Sequence, residues 1–277
     1  MYYAYVVLSA VIVLVLNNFF DILKQSYSWW LVPLMLVGFF LVFMVLHFAL
    51  FVSMIVFTDT KKEPRENTKF FRYMAKITLP IIAGAARVKI VSEGVEKLPQ
   101  NTEMLFVCNH QHNFDPVIML MVFPEARIGF IGKKEIYKEM PFIGKAMHNL
   151  NSFPIDREND REAAKTIIKA IKTIKNKVAS IALFPEGYTN YNDDTLLPFR
   201  NGSFKIATKT QVPIAVCAIN NTKSIVKNAF RRTTRIEFRL LEVIYPEQYE
   251  GMSTVEIGDM IHKIMQEGVT ELKKLKY

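Results

Sequence analysis

The apolar and polar positions of this chain fall into three stretches of different rhythm. The first is nearly all apolar. Tyr2 to Phe20 is interrupted only by Ser9, Asn17 and Asn18, and Trp29 to Phe57 carries no formal charge. A helix needs about 20 apolar residues to cross a bilayer, so the second segment is ample and the first just sufficient. The second stretch, residues 58–87, turns basic. Phe70, Phe71, Met74, Ile77 and Ile81 recur there at helical spacing, with Lys69, Arg72 and Lys76 between them. This predicts an amphipathic helix, either lying on anionic lipid or packed on the domain that follows. Pro80 is expected to kink or end it.

From Val88 onward, short apolar runs alternate with amphipathic segments. Strands are predicted at Val88–Val91, Met104–Cys108, Ala126–Ile131, Val178–Phe184 and Val212–Ile219. Ile236–Ile244 alternates more openly and reads as an edge strand. Helices are predicted around Ile118, Met119 and Met121, over Arg161–Lys177, over Ser203–Lys209 and over Val255–Lys276. In Arg161–Lys177 the residues Ala164, Ile167, Ile168, Ile171 and Ile174 share one face. The order predicts an α/β fold, a mostly parallel sheet with helices on both faces, preceded by a hydrophobic two-helix membrane anchor. The expected division is an anchor over 1–57, a basic amphipathic bridge over 58–87 and a catalytic domain over 88–277.

Charge sharpens this division. The chain has 277 residues and a formal net charge of +9. Residues 1–57 contribute only Asp21 and Lys24, so the whole excess lies beyond them. A basic domain behind an apolar leader fits anionic partners, either lipid headgroups or phosphorylated substrates, and not nucleic acid. Lys61, Lys62, Arg65, Lys69 and Arg72 follow the second segment, and the positive-inside bias then places the large domain in the cytoplasm. Trp29 and Trp30 fit an interfacial belt. A hairpin held in one leaflet remains the alternative to two spans. The first segment lacks the basic flank and cleavage site of a removable signal. The two cysteines, Cys108 and Cys217, both lie in apolar runs and read as small buried hydrophobes in a reducing compartment.

Candidate chemistry begins at the end of the second predicted strand. His110-Gln111-His112-Asn113-Phe114-Asp115 places a histidine and a carboxylate where open α/β sheets bind ligands. A carboxylate can orient an imidazole so that it takes a proton from a hydroxyl. Three further blocks follow: Phe153-Pro154-Ile155-Asp156-Arg157, Phe184-Pro185-Glu186-Gly187 and Val212-Pro213-Ile214. His110-x-His112-x-x-Asp115 also bears on metal binding, but the carboxylate is displaced from the usual metallohydrolase spacing. His47, His148 and His262 show no ligand spacing either, so no metal is expected.

Taken together, Asn-His-x4-Asp, Phe-x-Ile-Asp-Arg, Phe-Pro-Glu-Gly and Val-Pro-Ile resemble the four-block signature of the glycerophospholipid acyltransferase family, over roughly residues 86–225. The lead-in Gly94-Val95-Glu96-Lys97-Leu98-Pro99 is similar too, as is the link containing Lys133-Lys134-Glu135-Ile136, Pro141 and Gly144. The resemblance implies transfer of an acyl group from an acyl thioester, carried by coenzyme A or acyl carrier protein, to the free hydroxyl of lysophosphatidic acid. It implies His110 as base, Asp115 as its orienting partner, and Arg157, Glu186 and Gly187 as acceptor-binding residues, with no bound cofactor. The implied partners are membrane phospholipids, the lysophospholipid acceptor and the acyl donor. Pro213 would be architectural.

The chain also departs from the pattern. Tyr188-Thr189-Asn190 stands where the third block usually continues Thr-Arg-Ser, so a base is missing. Arg200 or Lys205 is expected to supply that charge to the acceptor site. The alternatives are a remodelling enzyme for another lysophospholipid, or a membrane-bound lipid-binding pseudoenzyme.

Overall fold

A computed structural model describes residues 2–190 and 195–275, in two compact units, Met1–Phe57 and Thr58–Tyr277. The first unit holds α1 (Tyr2–Phe20) and α2 (Ser28–Val56). Both are long and apolar enough to cross a membrane, which makes the pair a candidate membrane anchor. They meet through Tyr5, whose hydroxyl lies 3.0 Å from His47 Nδ1 and whose ring stacks on Phe43. A polar contact between apolar helices satisfies groups that lipid cannot. His47, which showed no ligand spacing in the sequence, thereby has a structural role.

The second unit begins with α3 (Lys69–Ala85), followed by β1 (Val88–Glu93), β2 (Leu105–Cys108) and α4 (Asp115–Val122). Next come β3 (Ile128–Lys133), α5 (Lys134–Glu139), α6 (Pro141–Asn149), β4 (Phe153–Ile155), α7 (Asp160–Lys175) and β5 (Ser180–Leu183). The chain ends with α8 (Lys205–Thr210), β6 (Ile214–Asn220), α9 (Ser224–Asn228), β7 (Thr234–Ile244), α10 (Pro246–Tyr249) and α11 (Thr254–Lys274). The predicted last helix thus ends at Lys274; Lys276 lies outside the described residues.

The strand order is β1-β7-β6-β2-β5-β3-β4. From β6 to β4 the strands are parallel, while β7 runs antiparallel to β6 and parallel to β1. Every residue of β2 and β5 is buried, as expected for strands covered on both faces. Val107, Ile174, Ile214 and Ile261 belong to the core on one face; Phe106, Ile118, Phe130 and Phe238 belong to that on the other. Cys108 and Cys217 are both free and buried.

One expectation fails here, and a second is narrowed, because of the two outcomes expected at Pro80 the helix end does not occur. Ile236–Ile244 is no edge strand, because β7 lies between β6 and β1. Its open alternation misled because Glu237, which looks solvent-facing, is buried and paired to Arg235. The helix containing Pro80 does not end there but continues to Ala85. Proline's φ is already helical, so the cost is confined to a lost hydrogen bond and crowding one turn back. Phe71, Met74, Ala75 and Thr78 of α3 are buried. Arg72 on the same helix donates to Ile128 O (2.9 Å), Leu150 O (2.8 Å) and Asn151 Oδ1 (3.1 Å). Burial pulls its guanidinium down to about 10, which still leaves it charged.

Candidate active site

The parallel strands end on one edge of the sheet, and every functional block except the proline block leaves the sheet there. β2 runs into Asn109, which is buried and bridges to the next strand. Its Nδ2 donates to Ile219 O at 3.0 Å, and its Oδ1 accepts from Ile219 N at 2.8 Å. This clamp fixes the backbone from which His110 projects. His110 Nδ1 then lies 2.8 Å from Asp115 Oδ2. Asp115 is fully buried at the start of α4, and the same oxygen accepts from Gln111 N (2.6 Å) and His112 N (2.9 Å). The two backbone donors hold this side chain at the start of the helix. With Nδ1–H given to Asp115, Nε2 is left with its lone pair. The ring stacks on Phe184, with centroids 4.3 Å apart.

Glu186 follows β5 and is almost fully buried. One oxygen accepts from His110 N at 2.9 Å; the other accepts from Leu197 N at 2.9 Å and Asn190 Nδ2 at 2.8 Å. Asn190 N in turn donates to His110 O at 2.7 Å. The carboxylate expected to grip an acceptor is therefore engaged inside the protein, tying the histidine loop to the Leu197 segment.

Arg157 extends from the end of β4. Its neighbour Asp156 pairs with Lys134 at 2.8 Å, which leaves Arg157 for other partners. The Arg157 guanidinium lies over the Tyr188 ring at 5.2 Å, and Arg200 lies over the same ring at 5.3 Å. Arg200 also donates to Tyr188 Oη at 3.1 Å and to Arg157 O at 3.2 Å. Two cations thus share one aromatic ring. Burial, and then the like charge of Arg200, push the Arg157 guanidinium below its ordinary value. A guanidinium held against a like charge is suited to an anion. Gly187 makes this packing possible: it sits at φ +73°, and a Cβ there would come within 2.8 Å of Arg200 Nε. Tyr188 was read in the sequence only as a missing base; the cation–π arrangement carried no periodic signal.

An apolar groove of about 890 Å³ opens beside these arginines, between α7 and the segment leading into α8. Ile131, Ile167, Ile171, Leu183, Phe184 and Pro185 line its walls. Arg157, Arg200, Lys172, Lys175, Lys205 and Lys209 also line it, with Asp160 as the one acid among these lining residues. Lys205 thus lies on the groove, while Arg200 alone of the two expected bases shares the Tyr188 ring. His112 stands aside; its ring stacks on Phe114, and burial pulls its imidazole down. No cluster of three or more His, Cys, Asp or Glu residues able to hold a metal ion occurs among the described residues. Pro213 enters β6 at the opposite edge of the sheet, where its carbonyl accepts from Leu105 N at 3.0 Å.

An acyltransferase family model matches residues 89–220, which contain the blocks described above. Over those residues the chain is similar to that acyltransferase family. Among curated relatives, it is 27% identical over 191 residues to the 1-acyl-sn-glycerol-3-phosphate acyltransferase of Saccharomyces cerevisiae, covering 69% of this chain and 61% of that one. It is 28% identical over 170 residues to the Escherichia coli enzyme of the same name, covering 61% of this chain and 68% of the other. For the Borreliella burgdorferi enzyme the identity is 29% over 199 residues, covering 70% and 78%. The match therefore spans about three fifths of the yeast relative's length. The crystal structure of the acyltransferase PlsC from Thermotoga maritima shares the fold, with TM-score 0.64, 22% identity, and coverage of 84% of this chain and 90% of that one. The shared architecture agrees with the mostly parallel α/β fold expected from the sequence.

Proposed function

We propose that this chain is a membrane-anchored O-acyltransferase that moves a fatty acyl group from a thioester to the free hydroxyl of lysophosphatidic acid, giving phosphatidic acid. The observation that carries the proposal is the His110–Asp115 pair, 2.8 Å apart, on the same strand-end edge as an arginine pair and an apolar groove. The relatives' names supply the acceptor, and the geometry is consistent with it.

His110 Nε2 takes the proton from the acceptor hydroxyl as that oxygen attacks the thioester carbonyl. The imidazolium so formed is stabilised by Asp115. The tetrahedral intermediate collapses, the carbon–sulfur bond breaks, and the proton passes from Nε2 to the leaving thiolate. The products are an ester and a free thiol. Arg157 and Arg200 hold the acceptor's phosphate, since a planar guanidinium presents parallel donors to phosphate oxygens. Glu186 acts as a positioning residue that fixes the His110 backbone, and Gly187 leaves room for Arg200. The groove takes the acyl chain. Its mostly basic charged residues suit either phosphorylated coenzyme A or an acidic carrier protein.

The test is kcat/KM for lysophosphatidate beside lysophosphatidylglycerol and lysophosphatidylcholine. A phosphate monoester carries nearly two charges and suits two guanidiniums. Lysophosphatidate should win; a clear preference for a diester would mean that Tyr188-Thr189-Asn190 marks a change of acceptor.

A further inference from the structure

The strand-end edge that carries His110 continues, one strand over, into a surface that acyl transfer does not use. β6 ends at Asn220, whose Oδ1 accepts from Gln111 Nε2 of the histidine loop at 3.3 Å. The connection from Asn220 to β7 then forms an outward-facing knuckle. Residues 221–233 contain Lys223, Lys227, Arg231 and Arg232 and no acid. Between these bases stand two exposed apolar side chains, Val226 at 63% and Phe230 at 76% exposure. A single exposed hydrophobe is ordinary. Phe230, however, also sits at φ +63°, a left-handed conformation that bulky residues rarely adopt.

The knuckle is firmly held. Ile225 of α9 is buried. Asn228 O accepts from both Arg231 N and Arg232 N at 2.9 Å. Arg87, just beyond α3, donates to Arg231 O at 3.2 Å and accepts from Thr234 N at 2.9 Å. Ile82, near the end of the same helix, is half exposed. Behind the knuckle lies a polar hollow of about 690 Å³, lined by Asn221, Ser224, Asn228, Arg232 and Lys274. Thr234 lines it as well; its buried hydroxyl has no hydrogen-bond partner among the described residues. The hollow's acid, Glu237, is paired to Arg235.

We propose that the β6–β7 knuckle is a second membrane contact, which inserts Phe230 and Val226 into an anionic bilayer surface and sets Arg231, Arg232 and Lys227 among its headgroups. Aromatic and aliphatic tips flanked by bases match the interfacial zone of such a surface, where the ring sits at headgroup depth and each base is attracted to the lipid charge. The hollow, with its bases and unpartnered hydroxyl, accommodates a headgroup phosphate. The contact sets the histidine edge against the lipid in which a lysophospholipid resides. It does not depend on which reaction His110 performs.

The test uses the full chain reconstituted in vesicles. Cys108 and Cys217 are buried, so Phe230→Cys gives a single accessible thiol for an environment-sensitive fluorophore. Gln100→Cys, exposed at the opposite edge of the sheet, is the control. With phosphatidylglycerol present, the label at 230 should shift to the blue and be quenched by nitroxide-bearing lipid, while the label at 100 should do neither. Pure phosphatidylcholine should give a much weaker response. Adding Arg231→Glu and Arg232→Glu should lower the inserted-to-free ratio at 230 by roughly 30-fold or more, since each basic residue near an anionic surface contributes about fivefold. Thiol release from a soluble short-chain substrate should be unchanged in that charge-reversed protein, which shows that it is folded. Equal behaviour at 230 and 100, or a response at 230 indifferent to phosphatidylglycerol, overturns the proposal.

Discussion

Replacing Asp115 by Asn isolates the charge behind the proposed base. All three donors that meet Asp115, namely His110 Nδ1–H, Gln111 N and His112 N, converge on Oδ2. An asparagine can turn its oxygen to that position and keep the histidine's tautomer and both backbone hydrogen bonds. What it loses is the negative charge. Two unit charges about 4 Å apart in an effective dielectric of about 20 attract by about 4 kcal/mol. An amide dipole retains part of this, so the transition state loses about 2–3 kcal/mol, or roughly 30- to 150-fold in kcat. The amide NH2 would then occupy the Oδ1 position, which is buried and has no hydrogen-bond partner among the described residues. Stability should fall by about 1–3 kcal/mol. Asp115→Ala differs in kind, because it orphans the buried Gln111 N–H, at about 1–3 kcal/mol, and leaves the half-buried His112 N–H without this partner. The assay is thiol release from an acyl thioester with saturating lysophosphatidate, beside a urea unfolding curve. A folded Asp115→Asn protein with wild-type kcat would refute the argument that Asp115 stabilises a charged imidazolium.

Two further outcomes follow from the arginine pair and the anchor. Arg157→Lys should raise the acceptor KM about tenfold or more while leaving the donor KM nearly unchanged, because lysine keeps the charge but loses the planar fork and the stacking on Tyr188; equal effects on both substrates, read from initial rates, would count against a phosphate clamp. A cysteine at Gln25 should be labelled from outside intact cells by an impermeant thiol reagent and one at Lys62 should not, and protection of both would favour a hairpin held in one leaflet.

The elements legible in the sequence are those whose local pattern decides the outcome. Charge-free runs of lipid-spanning length marked α1 and α2 to within a residue, since nothing distant competes with such a signal. The buried strands β2, β5 and β6 were equally legible as short apolar runs. The failures needed long-range knowledge. The three residues of β4, one of them Pro154, are too few to show a period. β7 looked like an edge because nothing local reveals that β1, from the far end of the domain, pairs along it. At the site, the spacing of His110 and Asp115 was informative because both belong to one strand–loop–helix turn. Glu186 was read as a ligand-gripping residue, but it is buried with both oxygens engaged, and its partners His110, Asn190 and Leu197 come from two different loops. The Arg157–Tyr188–Arg200 stack also joins separate segments, so the sequence showed only that a base was missing from the third block.

The most direct measurement is turnover by His110→Ala, with acyl thioester as donor and lysophosphatidate as acceptor, on protein shown to be folded by its unfolding curve. One general base typically supplies about 10²- to 10⁴-fold, and His110 is partly exposed, packed on Phe184 and bound to Asp115. Thiol release and phosphatidate formation should fall together by that factor while the fold persists. Near wild-type turnover of lysophosphatidate by the folded variant would contradict the account.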